Sequence, residues 1–446
     1  MAVDPSPGAL TRAHMVMARC DLLAHFSEED DRLTRRYGTR ALRAAQDAVA
    51  VWMIAAGMTV RHDAIGNLIG RHEGGRRKAE GGGEDSPAQS GASSGSLSPQ
   101  SALAPLSAFR LPPFLLGGHL DTVRDAGRYD GTLGVLVGIA AVERLRAADE
   151  SLPFAVEIVA FADEEGLRFH TAYLGSWVFA GTLDPALLDR TDADGVTLDA
   201  AIRAFGGDPV AAASGEIETG RYLGFVETHI EQGPILEADG LPVGVVAAIA
   251  GQTRLSVTFA GEAGHAGTIP MALRRDALCA AAEFVLAVEH IGRTTDGLVA
   301  TVGQLAAEPG ASNVVPGRVR LTLDVRHAAD AVRGAATEAI LDRAKAIAGE
   351  RNVAVSFANR NDTHAVTCDS ALTTTLENAV TATGYPVRRL VSGAGHDAVA
   401  LSVRMPVAML FVRCAGGVSH NPAESVTVED VAAAVEVLDR LITGLA

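Results

Sequence analysis

Phe114-Leu115-Leu116-Gly117-Gly118-His119-Leu120-Asp121 is the stretch from which the fold is read: an apolar run of strand length that ends on two polar side chains. The Gly-flanked turn Tyr129-Asp130-Gly131 follows, then a long apolar helix from Gly134 to about Leu145. The next apolar run, Ala155 to Phe161, ends on Asp163, Glu164 and Glu165. Strand, helix, strand with polar groups at the strand C-termini describes an open α/β sheet, whose ligands bind outside the carboxyl ends of its strands. Near-continuous apolar runs, as opposed to alternating ones, indicate a sheet covered on both faces.

Upstream, apolar positions at helical spacing (Leu42, Ala45, Val49, Trp52, Met53, Ala56) predict a helix over Thr39 to Ala56 with Gly57 as C-cap. Thr59 to Asp63 alternates like a strand, and Asn67 to Gly70 is its hairpin partner. From about Glu73 to Leu106 the composition turns to Gly, Ser, Pro, Ala, Glu and Gln. Such a stretch buries too little apolar area to offset its ordering entropy, so a disordered surface insertion is expected there. Beyond Val246 the pattern changes to strand Thr253–Phe259, helix Ala272 to about Ile291, strands Leu298–Leu305 and Arg318–Val325, helix Ala329 to about Gly349, and strand Asn352–Phe357. That β-α-β-β-α-β order is the split motif of a ferredoxin-like sandwich. Polar candidates resume after it, so this unit, over 247–357, is expected as an insertion between a first part over 1–246 and a second part over 358–446.

The chain of 446 residues carries a formal charge of -16. That balance disfavours nucleic acid or an anionic membrane as partner, since both demand a basic surface. A small molecule fits better. Cys20, Cys279, Cys368 and Cys414 lie far apart in no paired motif, and the first thirty residues hold no long apolar run. A reduced, cytoplasmic protein without signal or membrane span is expected.

The polar residues gather in short segments: His119 and Asp121, Asp130, Glu164 and Glu165, His229 in Glu227-Thr228-His229-Ile230-Glu231-Gln232-Gly233, and His420 in Ser419-His420-Asn421-Pro422. Each piece alone has an ordinary reading, a polar loop residue or a solvated acidic pair. Together, on glycine-bearing turns at strand ends, they suggest a two-metal hydrolytic centre. Carboxylate and imidazole ligands without thiolates suit zinc or manganese held for catalysis. The i, i+2 spacing of His119 and Asp121 lets the carboxylate accept from the imidazole and orient it.

Further segments join these: Gly118 to Val123, Phe161 to Gly166, Gly264-His265-Ala266-Gly267-Thr268, Asn313 to Gly317, Asp324-Val325-Arg326, Ser392-Gly393-Ala394-Gly395-His396-Asp397 and Ser419 to Glu424. With them the chain resembles the amidase and carbamoylase branch of the M20 metallopeptidase family, which includes allantoate amidohydrolases, N-carbamoyl-L-amino acid hydrolases and β-ureidopropionases. The resemblance implies an α/β/α mixed-sheet catalytic domain, made of the two flanking parts, with the inserted ferredoxin-like unit as a lid and dimerisation domain. It implies two divalent cations per subunit, zinc or manganese: one held by His119 and His229, the other by Glu165 and His420, with Asp130 bridging. Glu164 matches the general base, Asp121 the residue that orients ligands, and His265 a histidine that reaches a partner subunit's site and steadies the oxyanion. Gln232, Asn313, Arg326, Gly395 and His396 match substrate-contacting positions, with Arg326 suited to a bidentate grip on a carboxylate.

The implied reaction is hydrolysis of a ureido group on a small carboxylate-bearing substrate with release of ammonia and carbon dioxide, in a homodimer. Overall likeness, especially Arg35 to Thr39 and Arg168 to Tyr173, favours allantoate. An N-carbamoyl-L-amino acid or β-ureidopropionate is the alternative. A peptidase or deacylase is disfavoured by the segment His229-Ile230-Glu231-Gln232-Gly233, and an inactive binding relative by the intact set of ligands and base.

Overall fold

The computed structural model describes residues 4–74, 111–215 and 218–446. The insertion expected over 73–106 lies outside the described residues apart from Glu73 and Gly74. Nine strands form the larger sheet. In spatial order they are Thr59–His62, Leu68–His72, Val156–Phe161, Phe114–His119, Gly224–Ile230, Val407–Val412, Val243–Ile249 and Val366–Thr367, with Arg389–Ser392 also pairing to Val243–Ile249. The four central strands, 156–161, 114–119, 224–230 and 407–412, run parallel. Their carboxyl ends therefore open on one side.

Every residue of those four strands is buried, and the strand period of two explains how. Phe114 and Leu116 pack into one apolar core, while Leu115 packs into the other. The first core is closed by helices Pro7–Leu23, Arg40–Ala55, Thr132–Ala147, Ser370–Ala382 and Val428–Gly444, the second by the shorter Leu174–Ala180 and Asp397–Leu401. The expected mixed α/β sheet with helices on both faces is present. Helix Arg40–Ala55 starts where its sequence says, because the Thr39 side chain accepts from the Leu42 N–H.

A second sheet of four antiparallel strands has the order Ala354–Thr363, Gly251–Ala260, Arg318–His327, Val299–Glu308. In chain order that is 4-1-3-2, with helices Ala277–Thr294 and Asp330–Glu350 packed on one face around Val257, Phe259, Phe284, Leu321, Leu323 and Ile340. The first of these helices begins five residues later than its apolar pattern suggests. Asp276 caps it, accepting from Leu278 and Cys279 N–H, and Met271–Leu273 forms a separate 3-10 turn. The other face of the sheet is open and polar, carrying Arg254, Ser256, Thr322, Asp324 and Arg326.

Candidate metal centre

At the carboxyl ends of the central strands, three imidazoles converge on one carboxylate. Asp130 Oδ1 lies 3.4 Å from His119 Nε2 and 3.0 Å from His229 Nε2, while its Oδ2 lies 3.2 Å from His420 Nε2. Glu165 Oε1 is 3.4 Å from His420 Nε2. The ligand atoms of His119, Asp130 and His229 fall within 4.8 Å of one another, and so do those of Asp130, Glu165 and His420. One carboxylate thus faces two separate ligand sets with different oxygens, the arrangement of a bridge. Each buried imidazole is also oriented from behind: His119 Nδ1 donates to the Asp121 main-chain oxygen (3.0 Å) and His229 Nδ1 to the Ile230 oxygen (2.9 Å), which turns both Nε2 atoms toward Asp130; the Gly131 N–H also donates to His229 Nε2 at 3.3 Å.

This corrects one expectation. The imidazole of His119 takes the carbonyl of Asp121, and the carboxylate oxygen is farther, at 3.6 Å. The Asp121 carboxylate accepts instead from the Glu164 and Glu165 N–H groups, both at 3.0 Å, so it fixes the backbone that presents the acidic pair. The reason is reach: a two-residue spacing at a strand end puts the main chain, ahead of the carboxylate, under the ring. Gly131 completes the turn, since its φ is +63° and a Cβ there would come within 2.4 Å of the His119 ring.

Two residues without an assigned role in the sequence hold these pieces in place. Glu424 is buried, and its Oε1 accepts from the Tyr129 (2.8 Å) and Asp130 (3.1 Å) N–H groups. Ser419 Oγ lies 3.1 Å from Glu424 Oε2 and 3.0 Å from Asp130 Oδ2. Gln232 Nε2 donates to Asp130 Oδ2 at 3.0 Å, whereas its Oε1 is buried without a partner. Gln232 and His420 both hold left-handed backbone, φ +57° and +54°, a strain that persists at functional sites. A Glu four residues after His420, within the segment Ser419 to Glu424, was the available sequence signal for Glu424.

The electrostatics match a demand for positive charge. Burial alone would raise Asp130, but hydrogen bonds from His119, His229 and His420 outweigh it and hold the carboxyl well below its usual range. Hydrogen bonds to Asp130 and Glu165 push His420 up to about 10. Burial raises Glu164 well above the usual carboxyl range, with Glu165, Asp397 and Asp121 adding to it. Beneath the centre, Asp163, Glu227 and Asp397 are buried; among the described residues both carboxylate oxygens of Asp163 and Asp397 and one of Glu227 have no hydrogen-bond partner, while Glu227 Oε2 accepts from the Ala398 N–H at 3.1 Å. The carboxylates around the imidazoles favour positive charge at this position, so the donor set fits divalent metal.

The centre opens into a cavity of about 880 Å³ lined by His119, Asp130, Glu164, Glu165, His229, Gln232, Arg326, Gly395 and His420, among others. Four of the sequence-derived candidates are not on its wall. Asp121 lies behind it, as described. His396 is buried behind His229, ring centroids 4.6 Å apart, with its Nε2 on Ser392 Oγ at 2.7 Å. His265 and Asn313 are exposed together in a small two-stranded sheet, Gly264–His265 with Val314–Val315, past the far end of strand Gly251–Ala260. A ten-residue strand spans roughly 30 Å, and it is the Gln252 end that meets the cavity.

Arg326 reaches the cavity already engaged. Its Nε and Nη2 donate to Asp324, 2.9 and 3.0 Å, and its Nη1 to the Gly393 oxygen, 2.7 Å. Arg254 donates to the same Asp324 oxygen at 3.0 Å, so two guanidinium groups share one carboxylate. The Arg35–Thr39 segment, by contrast, is scaffold. Arg35 is buried and donates to the Leu120 and Leu23 oxygens, and the Tyr37 hydroxyl donates to Ile65. Its likeness to allantoate enzymes therefore carries no information about the cavity, whereas His170, Thr171, Ala172 and Tyr173 line it.

Residues 115–444 match peptidase family M20/M25/M40. The chain is 40% identical to an N-carbamoyl-L-amino acid amidohydrolase of Geobacillus stearothermophilus, with 93% of each chain covered. It is 36% identical to allantoate deiminase 1 of Glycine max, covering 94% of this chain and 86% of that one. The crystal structure of a hydantoinase/carbamoylase family amidase from Burkholderia multivorans superposes with a TM-score of 0.83 at 32% identity, covering 99% and 98% of the two chains.

Proposed function

The chain belongs to peptidase family M20/M25/M40 and is a hydrolase acting on C–N bonds, and we propose that it cleaves the ureido group of a small carboxylate-bearing substrate, allantoate foremost, with two divalent cations per subunit. The observation that carries this reading is Asp130, whose two oxygens face two separate ligand sets. In it His119 and His229 would hold one cation and Glu165 and His420 the other, with Asp130 available to both. Zinc or manganese bound there would polarise the ureido oxygen and acidify a water.

The protein's own groups do the rest. Glu164, buried beside the centre with a raised pKa, takes the proton of the attacking water and returns it to the leaving nitrogen. Asp121 fixes its backbone. Gln232 offers its unpaired Oε1 to the ureido N–H groups. The substrate carboxylate is met by Arg326 and Arg254, where Asp324 alone compensates two positive charges. An N-carbamoyl-L-amino acid presents the same ureido and carboxylate groups, and the 40% identity to an amidohydrolase of that class supports it as the second reading.

The same proposal assigns 247–357 as a lid and dimerisation unit inserted between catalytic parts 1–246 and 358–446. It includes a homodimer in which His265 and Asn313 serve the neighbouring subunit's cavity. Support comes from their distance from their own cavity and from Met271, Leu273, Leu286 and Val299, large apolar side chains of this unit left exposed. Among the described residues no helix is long and apolar enough to cross a membrane. A cytoplasmic location, in keeping with four unpaired cysteines, completes the reading.

The test is ammonia release by metal-loaded protein from allantoate, N-carbamoyl-L-amino acids, β-ureidopropionate and dipeptides, the last scored by amine release. Turnover of allantoate above the others is expected. Preference for an N-carbamoyl-L-amino acid would select the second reading, and cleavage of dipeptides alone would reject both.

A further inference from the structure

One wall of the cavity is the segment that follows the acidic pair, and Tyr173 stands out in it. Its N–H donates to the Glu164 carbonyl at 2.8 Å, so the residue is tied to the backbone of the base. Its own backbone is left-handed, φ +64° and ψ +24°, a conformation that a bulky aromatic residue rarely adopts and that marks functional positions when it persists. The ring is held edge-on by Trp177, centroids 6.5 Å apart. The hydroxyl packs onto Gly395 so closely that a Cβ there would come 1.6 Å from its oxygen. Glycine at 395 therefore makes room for this phenol.

The hydroxyl has no hydrogen-bond partner among the described residues, although the Tyr37 and Tyr222 hydroxyls donate to Ile65 and Glu157. Burial, with Glu164, Asp397 and Glu227 nearby, pushes its ionisation upward, so the phenol remains a neutral donor. An idle donor on a cavity wall is paired when ligand arrives or left unsatisfied by the wrong one.

The proposed function leaves one position unaccounted for. An α-ureido acid such as allantoate or N-carbamoyl-L-leucine carries three groups besides hydrogen on its central carbon: the ureido arm, directed to Asp130 and Glu164; the carboxylate, directed to Arg326 and Arg254; and a third substituent. Tyr173 lies between those two ends, near Glu164 on one side and over the loop whose Gly393 oxygen holds Arg326 on the other. Trp177 packs beside it, and Leu187 lines the same cavity. Resting on that functional reading, we propose that Tyr173 determines specificity by hydrogen-bonding a polar third substituent, such as the second ureido arm of allantoate. An alkyl substituent would pack on Trp177 and Leu187 and bury the hydroxyl unpaired.

The experiment compares wild type and Tyr173→Phe, both metal-loaded, on allantoate and N-carbamoyl-L-leucine, with metal content and melting temperature as controls. For Tyr173→Phe, kcat/KM on allantoate should fall at least about tenfold, while that on N-carbamoyl-L-leucine stays level or rises. Metal content should not change. An equal fall on both substrates, or no change in their ratio, overturns the proposal, because a merely structural or reacting-centre role would not separate them. If Tyr173→Phe fails to fold, Gly395→Ala displaces the hydroxyl without removing it and should shift the ratio the same way; an unchanged ratio there is equally fatal. Wild type inactive on both ureido acids would take down the functional reading along with this one, whereas an active wild type with an unshifted ratio takes down Tyr173 alone.

Discussion

Glu164 and Glu165 are neighbours in sequence with different surroundings, and the proposed function gives them different work. Glu165 turns its Oε1 to His420, whereas Glu164 is buried with its pKa raised and comes only to 4.0 Å from the His119 Nε2. Replacing Glu164 by Gln preserves shape and removes the base. Turnover should fall at least about a hundredfold with metal content unchanged, as measured by steady-state kinetics beside elemental analysis. Near-normal turnover in a fully metallated variant would move the base elsewhere. At this scale the combination of imidazoles and carboxylates at predicted strand ends pointed to the cluster, although each piece alone had an ordinary reading. Their partners were harder to read. Asp121 faces the backbone of the acidic pair, and Arg326 is held by Asp324; both facts depend on side-chain directions that spacing leaves open.

Strands Phe114–His119 and Val156–Phe161 were legible because short apolar runs that end on polar residues have one natural reading in a covered sheet, whereas Gly224–Ile230, which carries His229, was not read because Glu227, Thr228 and His229 interrupt its apolar run. Helix Pro7–Leu23 was not read from the sequence. Its buried face is Ala9, Ala13, Val16, Cys20 and Leu23, correctly spaced but mostly small, and Ser6 with Pro7 supplies a cap signal only in retrospect. Packing of small side chains against Val428–Gly444 and Thr132–Ala147 decides it. The loops are where element-scale function lies. Glu424 joins the Asp130 turn to the His420 loop through two N–H groups and Ser419. Glu424→Ala should strand those buried donors, at about 1–3 kcal/mol each, lower the melting temperature and weaken cation binding in calorimetry. Glu424→Gln keeps an acceptor for both N–H groups and should retain most of the affinity. Equal loss in both variants would show that the charge of Glu424, and not its hydrogen-bonding geometry, is what the centre uses.

Across the whole molecule, the ligands come from positions 119 to 420, on both sides of the four-stranded unit, so the centre exists only when the two flanking parts fold together. The β-α-β-β-α-β order of that unit was legible from its periodicity. The placement of His265 and Asn313 at its far end depends on how the unit's long strands are oriented, which no local pattern encodes. If they act across a dimer, mixing His265→Ala with Glu164→Gln protein places one intact site in each heterodimer and should restore measurable turnover. Silence despite demonstrated subunit exchange would confine His265 to its own chain. The central claim is the shared carboxylate, and counting cations tests it most directly. Apoprotein titrated with zinc or manganese should bind two equivalents per chain, and Asp130→Ala should lose both together, because the bridge serves both ligand sets. One equivalent in the wild type, or two retained by Asp130→Ala, would contradict it.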